Sequence, residues 1–205
     1  RIVYCSFFND HFSTRLDKNQ IGSTKKRSTA HALIRFSHDL FLASDEPGNI
    51  IRVLFVDFAK AFDLIDHNIL MRKFIDNDFP LHLSCWSLSF LEDRKQFVKV
   101  ANGVSSTAKI CCGCPQGTLS GPTNFKLMIN DLRFLLSYIK YLDDISVASM
   151  SKNPDDTSLQ GALNDLTAWC ALNSMRLNTA KTNETVIYFG KKYDLSHMKS
   201  LECND

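Results

Sequence analysis

The segment Tyr141-Leu142-Asp143-Asp144 sets two adjacent carboxylates between short apolar runs, and Asp57 closes an earlier run, Ile50-Ile51-Arg52-Val53-Leu54-Phe55-Val56. Neighbouring carboxylates repel and raise one another's proton affinity unless a cation sits between them. Mg²⁺ reverses that penalty and suits hard oxygen ligands. Acids at two strand ends, one of them a doublet, suit a pair of divalent ions about 3.5–4 Å apart that holds both the attacking and the leaving oxygen of a phosphoryl transfer. Taken singly, each Asp has a plainer reading as a turn or cap residue.

Two other segments carry chemistry. Gly113-Cys114-Pro115-Gln116-Gly117-Thr118-Leu119-Ser120-Gly121-Pro122 places glycines around a rigid Pro and an amide, so backbone can approach a ligand closely. It feeds a helix whose N-terminus can face a phosphate or a template strand. Lys181, just before a final strand, is a solvated charge unless it faces the metals, where it serves as a general acid. Lys25-Lys26-Arg27 is the best local candidate for an electrostatic footprint, with a solvated loop as the plainer reading.

The elements that must position these residues follow from periodicity. Ser28 to Ser44 predicts a helix with Ala30, Leu33, Ile34, Leu40 and Phe41 on its apolar face. Asp45-Glu46-Pro47-Gly48-Asn49 breaks the chain, and Ile50 to Val56 suits a central strand buried on both faces. Asp66 caps a helix running through Leu70 and Phe74, and Leu81 to Leu91 forms another. Gln96 to Val100 and Thr107 to Ile110 flank Asn102-Gly103 as a hairpin. Pro122 starts a helix with Phe125, Met128, Ile129 and Leu132 inward. Tyr138–Tyr141 and Ile145–Ala148 are strands joined at the acid doublet. Asn153-Pro154 opens a helix bearing Leu159, Leu163, Leu166 and Cys170, and Val186 to Phe189 is the last strand. The order predicts an α+β fold, a ferredoxin-like antiparallel sheet with helices on one face.

Length and composition bound the rest. At 205 residues the chain holds one large domain or two small lobes, and its formal charge of +2 does not by itself argue nucleic-acid binding. Seven cysteines, three of them bunched at Cys111, Cys112 and Cys114, lack the second pair or histidines of a zinc site. They read as reduced thiols of an intracellular protein, in nucleus or cytoplasm. No stretch reaches the ~18–20 apolar residues of a membrane span. The chain opens on Arg1, which suggests a piece of a longer protein.

Together the motifs resemble the reverse transcriptase domain of non-LTR (LINE-type) retrotransposons, over nearly the whole chain. Phe55-Val56-Asp57-Phe58-Ala59-Lys60-Ala61-Phe62-Asp63, followed by Asp66-His67, is similar to that family's first palm motif. Gly113 to Pro122 with Ile129-Asn130-Asp131-Leu132 resembles the second, Tyr141 to Asp144 the third, and Leu177-Asn178 through Lys181-Thr182 the fourth. Gln20-Ile21-Gly22 and Arg27-Ser28-Thr29 with Ala32-Leu33 look like the fingers segment.

The resemblance implies a polymerase palm with partial fingers. Residues 1–49 and about 75–112 would be fingers, about 50–74 and 113–195 palm, and 196–205 the start of a thumb or tail. It implies that Asp57, Asp143 and Asp144 hold two Mg²⁺ ions, with Mn²⁺ as a substitute, and that Lys181 is the general acid. Phe62 would be the steric gate against a 2′-hydroxyl. Gln116, Gly117 and Arg27 would meet the nucleotide, and Tyr141, Leu142 and Pro115 the primer and template. The implied partners are an RNA template, a DNA primer and a dNTP, with no membrane. Leu142 replaces the family's usual Ala or Val, Ser23 an aromatic, and Leu119-Ser120 a more apolar pair. The alternatives are an inactive or domesticated nucleic-acid-binding relative, another palm nucleotidyltransferase, and a metal-free interaction module.

Overall fold

A computed structural model describes residues 2–190 and 198–203. The elements in chain order are α1 (Ile2–Phe12), α2 (Thr29–Ser44), β1 (Ile50–Val56), α3 (His67–Asp76) and α4 (Leu81–Leu91). Four two-residue strands follow: β2 (Lys95–Gln96), β3 (Lys99–Val100), β4 (Gly103–Val104) and β5 (Ala108–Lys109). The last are α5 (Ser120–Met128), β6 (Ser137–Tyr141), β7 (Asp144–Ser151), α6 (Ser158–Leu172) and β8 (Asn183–Ile187). They group into two compact units, residues 1–16 with 60–129, and residues 17–59 with 130–205.

The second unit is built on a four-stranded sheet ordered β6-β7-β1-β8, with every pair antiparallel. In chain order of these four strands that is the ferredoxin-like arrangement expected from the sequence. β1 is central, and six of its seven residues are buried, which explains its apolar character on both faces. Ile51 and Val53 pack with Ala32, Phe36 and Ala43 of α2, while Leu54 shares the opposite side with Leu163 of α6. The face opposite α6 is therefore not bare, because α2 covers part of it. Arg52 crosses the other way, pairing with Glu184 and donating to the carbonyls of Asp156 and Lys199.

Residues 17–49, expected with the fingers, group with this sheet. Gln20 forms a parallel bridge to Lys140 of β6. Asp17 pairs with Lys140 at 2.8 Å and accepts from the Tyr138 hydroxyl at 2.9 Å, and Lys140 also donates to the Leu132 carbonyl. Burial pushes the Asp17 carboxyl up, but the Lys140 charge and hydrogen bond outweigh it and hold the group below its usual range. Burial, then the bond to Asp17, raises the Tyr138 hydroxyl to about 12, so it stays a donor.

The first unit is held by aromatic packing. Phe8 stacks on Phe79 at 4.9 Å, and Phe12 and Phe74 lie within 5.6 Å of the same ring. Each such pair contributes about 0.5–1.5 kcal/mol beyond area burial. Asp66 caps α3 by accepting from the N–H groups of Asn68 and Ile69, as its position predicts. α5 is buried on nearly every side.

Four expectations need correction. α2 buries Ala32, Phe36 and Ala43, whereas Leu33, Ile34 and Phe41 are about two-thirds exposed at 69%, 69% and 67%. The small and aromatic face fits the sheet more closely than the aliphatic one. The hairpin tip is Ala101-Asn102, flanked by the Val100–Gly103 pair, so the turn sits one residue earlier than expected. α6 starts at Ser158, because residues 153–156 form a turn in which Asn153 Oδ1 accepts from the Asp155 N–H. β8 runs Asn183–Ile187, earlier than Val186–Phe189, since its register is set by Glu184 opposite Leu54. The palm boundary expected at residue 195 lies outside the described residues.

Candidate active site

The acid doublet sits where two strands of the second unit turn. Tyr141 pairs with Asp144, leaving Leu142 and Asp143 as a two-residue hairpin loop. Leu142 has φ +59 and Asp143 is not in the left-handed region, the φ pattern of a II′ turn, whose first position normally takes glycine. A leucine in so sparsely populated a backbone conformation costs about 1–3 kcal/mol. Val56 pairs with Ile145, so continuing the register by one residue sets Asp57 opposite Asp144.

Asp57 is fixed by the loop that follows α6. Its carbonyl accepts from the Asn178 N–H at 2.8 Å, its Oδ2 from Asn178 Nδ2 at 2.9 Å, and its N–H reaches Thr182 Oγ1 at 3.3 Å. The Asn178 carbonyl accepts in turn from Lys181 and Thr182, closing the loop on itself. Asn178 and Thr182 lie inside the fourth motif, yet residue type alone gave them no role. Lys181 projects from this loop, exposed, and its ammonium has no partner among the described residues.

The β1–β7 register, continued past Val56 and Ile145, brings Asp57 beside the doublet. Burial first, then the charges of Asp143 and Asp57, raises the Asp144 carboxyl above its usual value. Among the described residues, no three His, Cys, Asp or Glu side chains converge tightly enough to hold an ion unaided. An all-oxygen, open set is what Mg²⁺ uses, because it keeps several waters and takes one or two carboxylates plus substrate phosphates. The residues present fit that ion.

Phe62, Pro115, Gln116 and Gly117 come together in the first unit. Cys114 donates its N–H to the Phe62 carbonyl at 2.8 Å, and Gly113 to that of Ile65 at 2.8 Å. Gly113 has φ +85, and a Cβ on it would lie 2.6 Å from the Asp63 carbonyl oxygen, so the loop can lie on segment 62–65 only with glycine there. Gln116 Nε2 donates to Asp63 Oδ1, and the Phe62 ring stacks on Phe125 with centroids 4.7 Å apart. Thr118 Oγ1 accepts from the Gly121 N–H in the first turn of α5. The chain crosses between the two units at Ala59–Lys60.

Arg27 is exposed, and its Nη1 donates to the carbonyls of Lys18 and Gln20. Tyr141 packs partly buried against the α2 face of the sheet. The cysteines are unpaired thiols, and burial raises Cys114 to about 11 and Cys170 to about 12, so both are protonated core groups. No helix among the described residues is long and apolar enough to cross a membrane.

Residues 5–202 match the family described as "Reverse transcriptase (RNA-dependent DNA polymerase)", and the chain belongs to it. It is 29% identical over 188 residues to the "Probable RNA-directed DNA polymerase from transposon BS" of Drosophila melanogaster, covering 85% of this chain and 20% of that protein. It is 30% identical over 139 residues to the "RNA-directed DNA polymerase from mobile element jockey" of the same fly, covering 62% and 15%. These relatives bear out the LINE-type resemblance of the motifs. The chain spans about a fifth or less of the length of each of these relatives. In fold it is similar to telomerase from Candida albicans, with a TM-score of 0.61 and 12% identity over 94% of this chain and 34% of that one. Telomerase from Candida tropicalis gives 0.64 and 14% over 91% and 33%.

Proposed function

We propose that this chain is the palm and part of the fingers of a retroelement's RNA-directed DNA polymerase, which adds dNTPs to a DNA primer on an RNA template. The observation that carries the reading is the facing of Asp57 and the Asp143-Asp144 doublet across β1 and β7, with Asp57 held by Asn178. Two Mg²⁺ ions, or Mn²⁺ in their place, would activate the primer 3′-hydroxyl and neutralise the departing pyrophosphate. Asp57 and Asp143 are the principal ligands, and Asp144 completes the acidic field. Lys181 donates a proton to the leaving pyrophosphate. Phe62 excludes a 2′-hydroxyl, with its ring braced by Phe125. Gln116 and Gly117 line the nucleotide and template pocket, Tyr141, Leu142 and Pro115 meet primer and template, and Arg27 contributes positive charge towards the triphosphate.

The test is Mg²⁺-dependent primer extension on RNA by the longest polypeptide that carries this chain. Asp143→Asn abolishes incorporation while nucleic-acid binding persists. Equal extension by parent and substituted protein removes the assignment.

A further inference from the structure

Gly22 is buried, and its backbone is outside the left-handed region, so conformation does not single out glycine there. The demand is for space. A Cβ on Gly22 would lie 2.6 Å from the Leu142 nitrogen, 2.7 Å from the Tyr141 carbonyl carbon and 2.9 Å from the Tyr141 Cα. All three are backbone atoms at the entry to the turn that carries Asp143, so no side chain can swing aside.

The segment bearing Gly22 is fastened on the N-terminal side of that contact. Lys140 donates its N–H to the Asn19 carbonyl, and Ile21 donates to the Lys140 carbonyl at 2.8 Å. Asp17 is pinned by Lys140, Tyr138 and the Asn130 side chain, and Arg27 and Arg35 both donate to the Lys18 carbonyl. Among the described residues the turn has no such bracing: it is a two-residue loop whose first residue already holds a left-handed φ. A side chain at position 22 therefore displaces the turn, and the turn carries Asp143.

We infer that Gly22 is a positioning residue for the carboxylate turn: its bare Cα seats the Tyr141–Leu142 peptide and thereby sets where Asp143 stands against Asp57. This rests on the polymerase reading and deepens it. A displacement of about 1 Å at a reacting group lowers rate roughly 10²-fold, whereas contacts remote from the turn are untouched.

The experiment titrates Mn²⁺ by electron paramagnetic resonance and measures kcat and KM for dNTP in the longest polypeptide carrying this chain, comparing parent, Gly22→Ala and Asp143→Asn. The expected result for Gly22→Ala is parental circular dichroism, Mn²⁺ affinity weakened about tenfold or more, kcat lowered about 10- to 100-fold, and an unchanged KM. Parental Mn²⁺ affinity and kcat in folded Gly22→Ala, beside a defective Asp143→Asn, overturns the inference alone. If Asp143→Asn also matches the parent, the metal-site reading falls first and takes this inference with it. Should Gly22→Ala fail to fold, Leu142→Gly is added, since glycine tolerates a shifted turn. Recovery of folding and Mn²⁺ binding in the double variant supports the coupling, and continued loss overturns it.

Discussion

Replacing Asp17 by Asn tests whether the ion pair beneath the sheet edge holds the second unit together. The Lys140 side chain is 0% exposed and that of Asp17 4%, with 2.8 Å between them. Removing one partner of a buried pair leaves an uncompensated charge and costs about 3–5 kcal/mol, a large share of the ~5–15 kcal/mol that folds a typical protein. With a urea slope near ~2 kcal/mol/M, the midpoint should fall by about 1.5–2.5 M. The assay is urea unfolding followed by tryptophan fluorescence. Asp17→Asn with Lys140→Met should recover most of the loss, because no buried charge is then left uncompensated. The pH dependence has a definite sign. The folded Asp17 carboxyl lies below its ordinary value of 3.8, so its contribution is complete above that value and is lost as pH falls through the folded one. The parent should therefore lose stability more steeply in acid than Asp17→Asn. A midpoint shift below about 0.5 M, or parallel acid profiles, refutes the reasoning.

Two further predictions bear on the site. Asn178→Ala removes the bond to Asp57 Oδ2 and should weaken Mn²⁺ binding about 10- to 100-fold, read by the same titration; undiminished affinity would mean that Asp57 orients itself. Phe62→Ala removes the ring stacked on Phe125 and should raise ribonucleotide incorporation relative to deoxynucleotide in primer extension; a constant ratio removes the gate role.

What the sequence reveals depends on how local each signal is. β1, the Asp66 cap and α4 are written in consecutive residues, so their bounds follow from runs and caps alone. The carboxylates were legible because acids placed between apolar runs are chemically conspicuous. α2 misled because Leu33, Ile34 and Phe41 are more apolar than Ala32, yet the side bearing Ala32, Phe36 and Ala43 is the one that packs on Ile51 and Val53. β8 misled for a related reason: the Glu184–Arg52 pair fixes its register, while the more apolar Phe189 stays exposed. Asn178 and Gly22 act through partners more than a hundred residues away in the chain, Asp57 and Leu142, so no spacing rule announces them. The same holds for Asp17 and Lys140.

The segment at residues 17–22 has one more consequence, for how the protein behaves among copies of itself. β6 is the outer strand of its sheet, and an open outer strand offers unpaired N–H and C=O groups to any extended chain that arrives. At Lys140 both groups are already taken, by Asn19 and Ile21. A chain whose segment has come loose would offer that edge to its neighbours, so aggregation should follow its release.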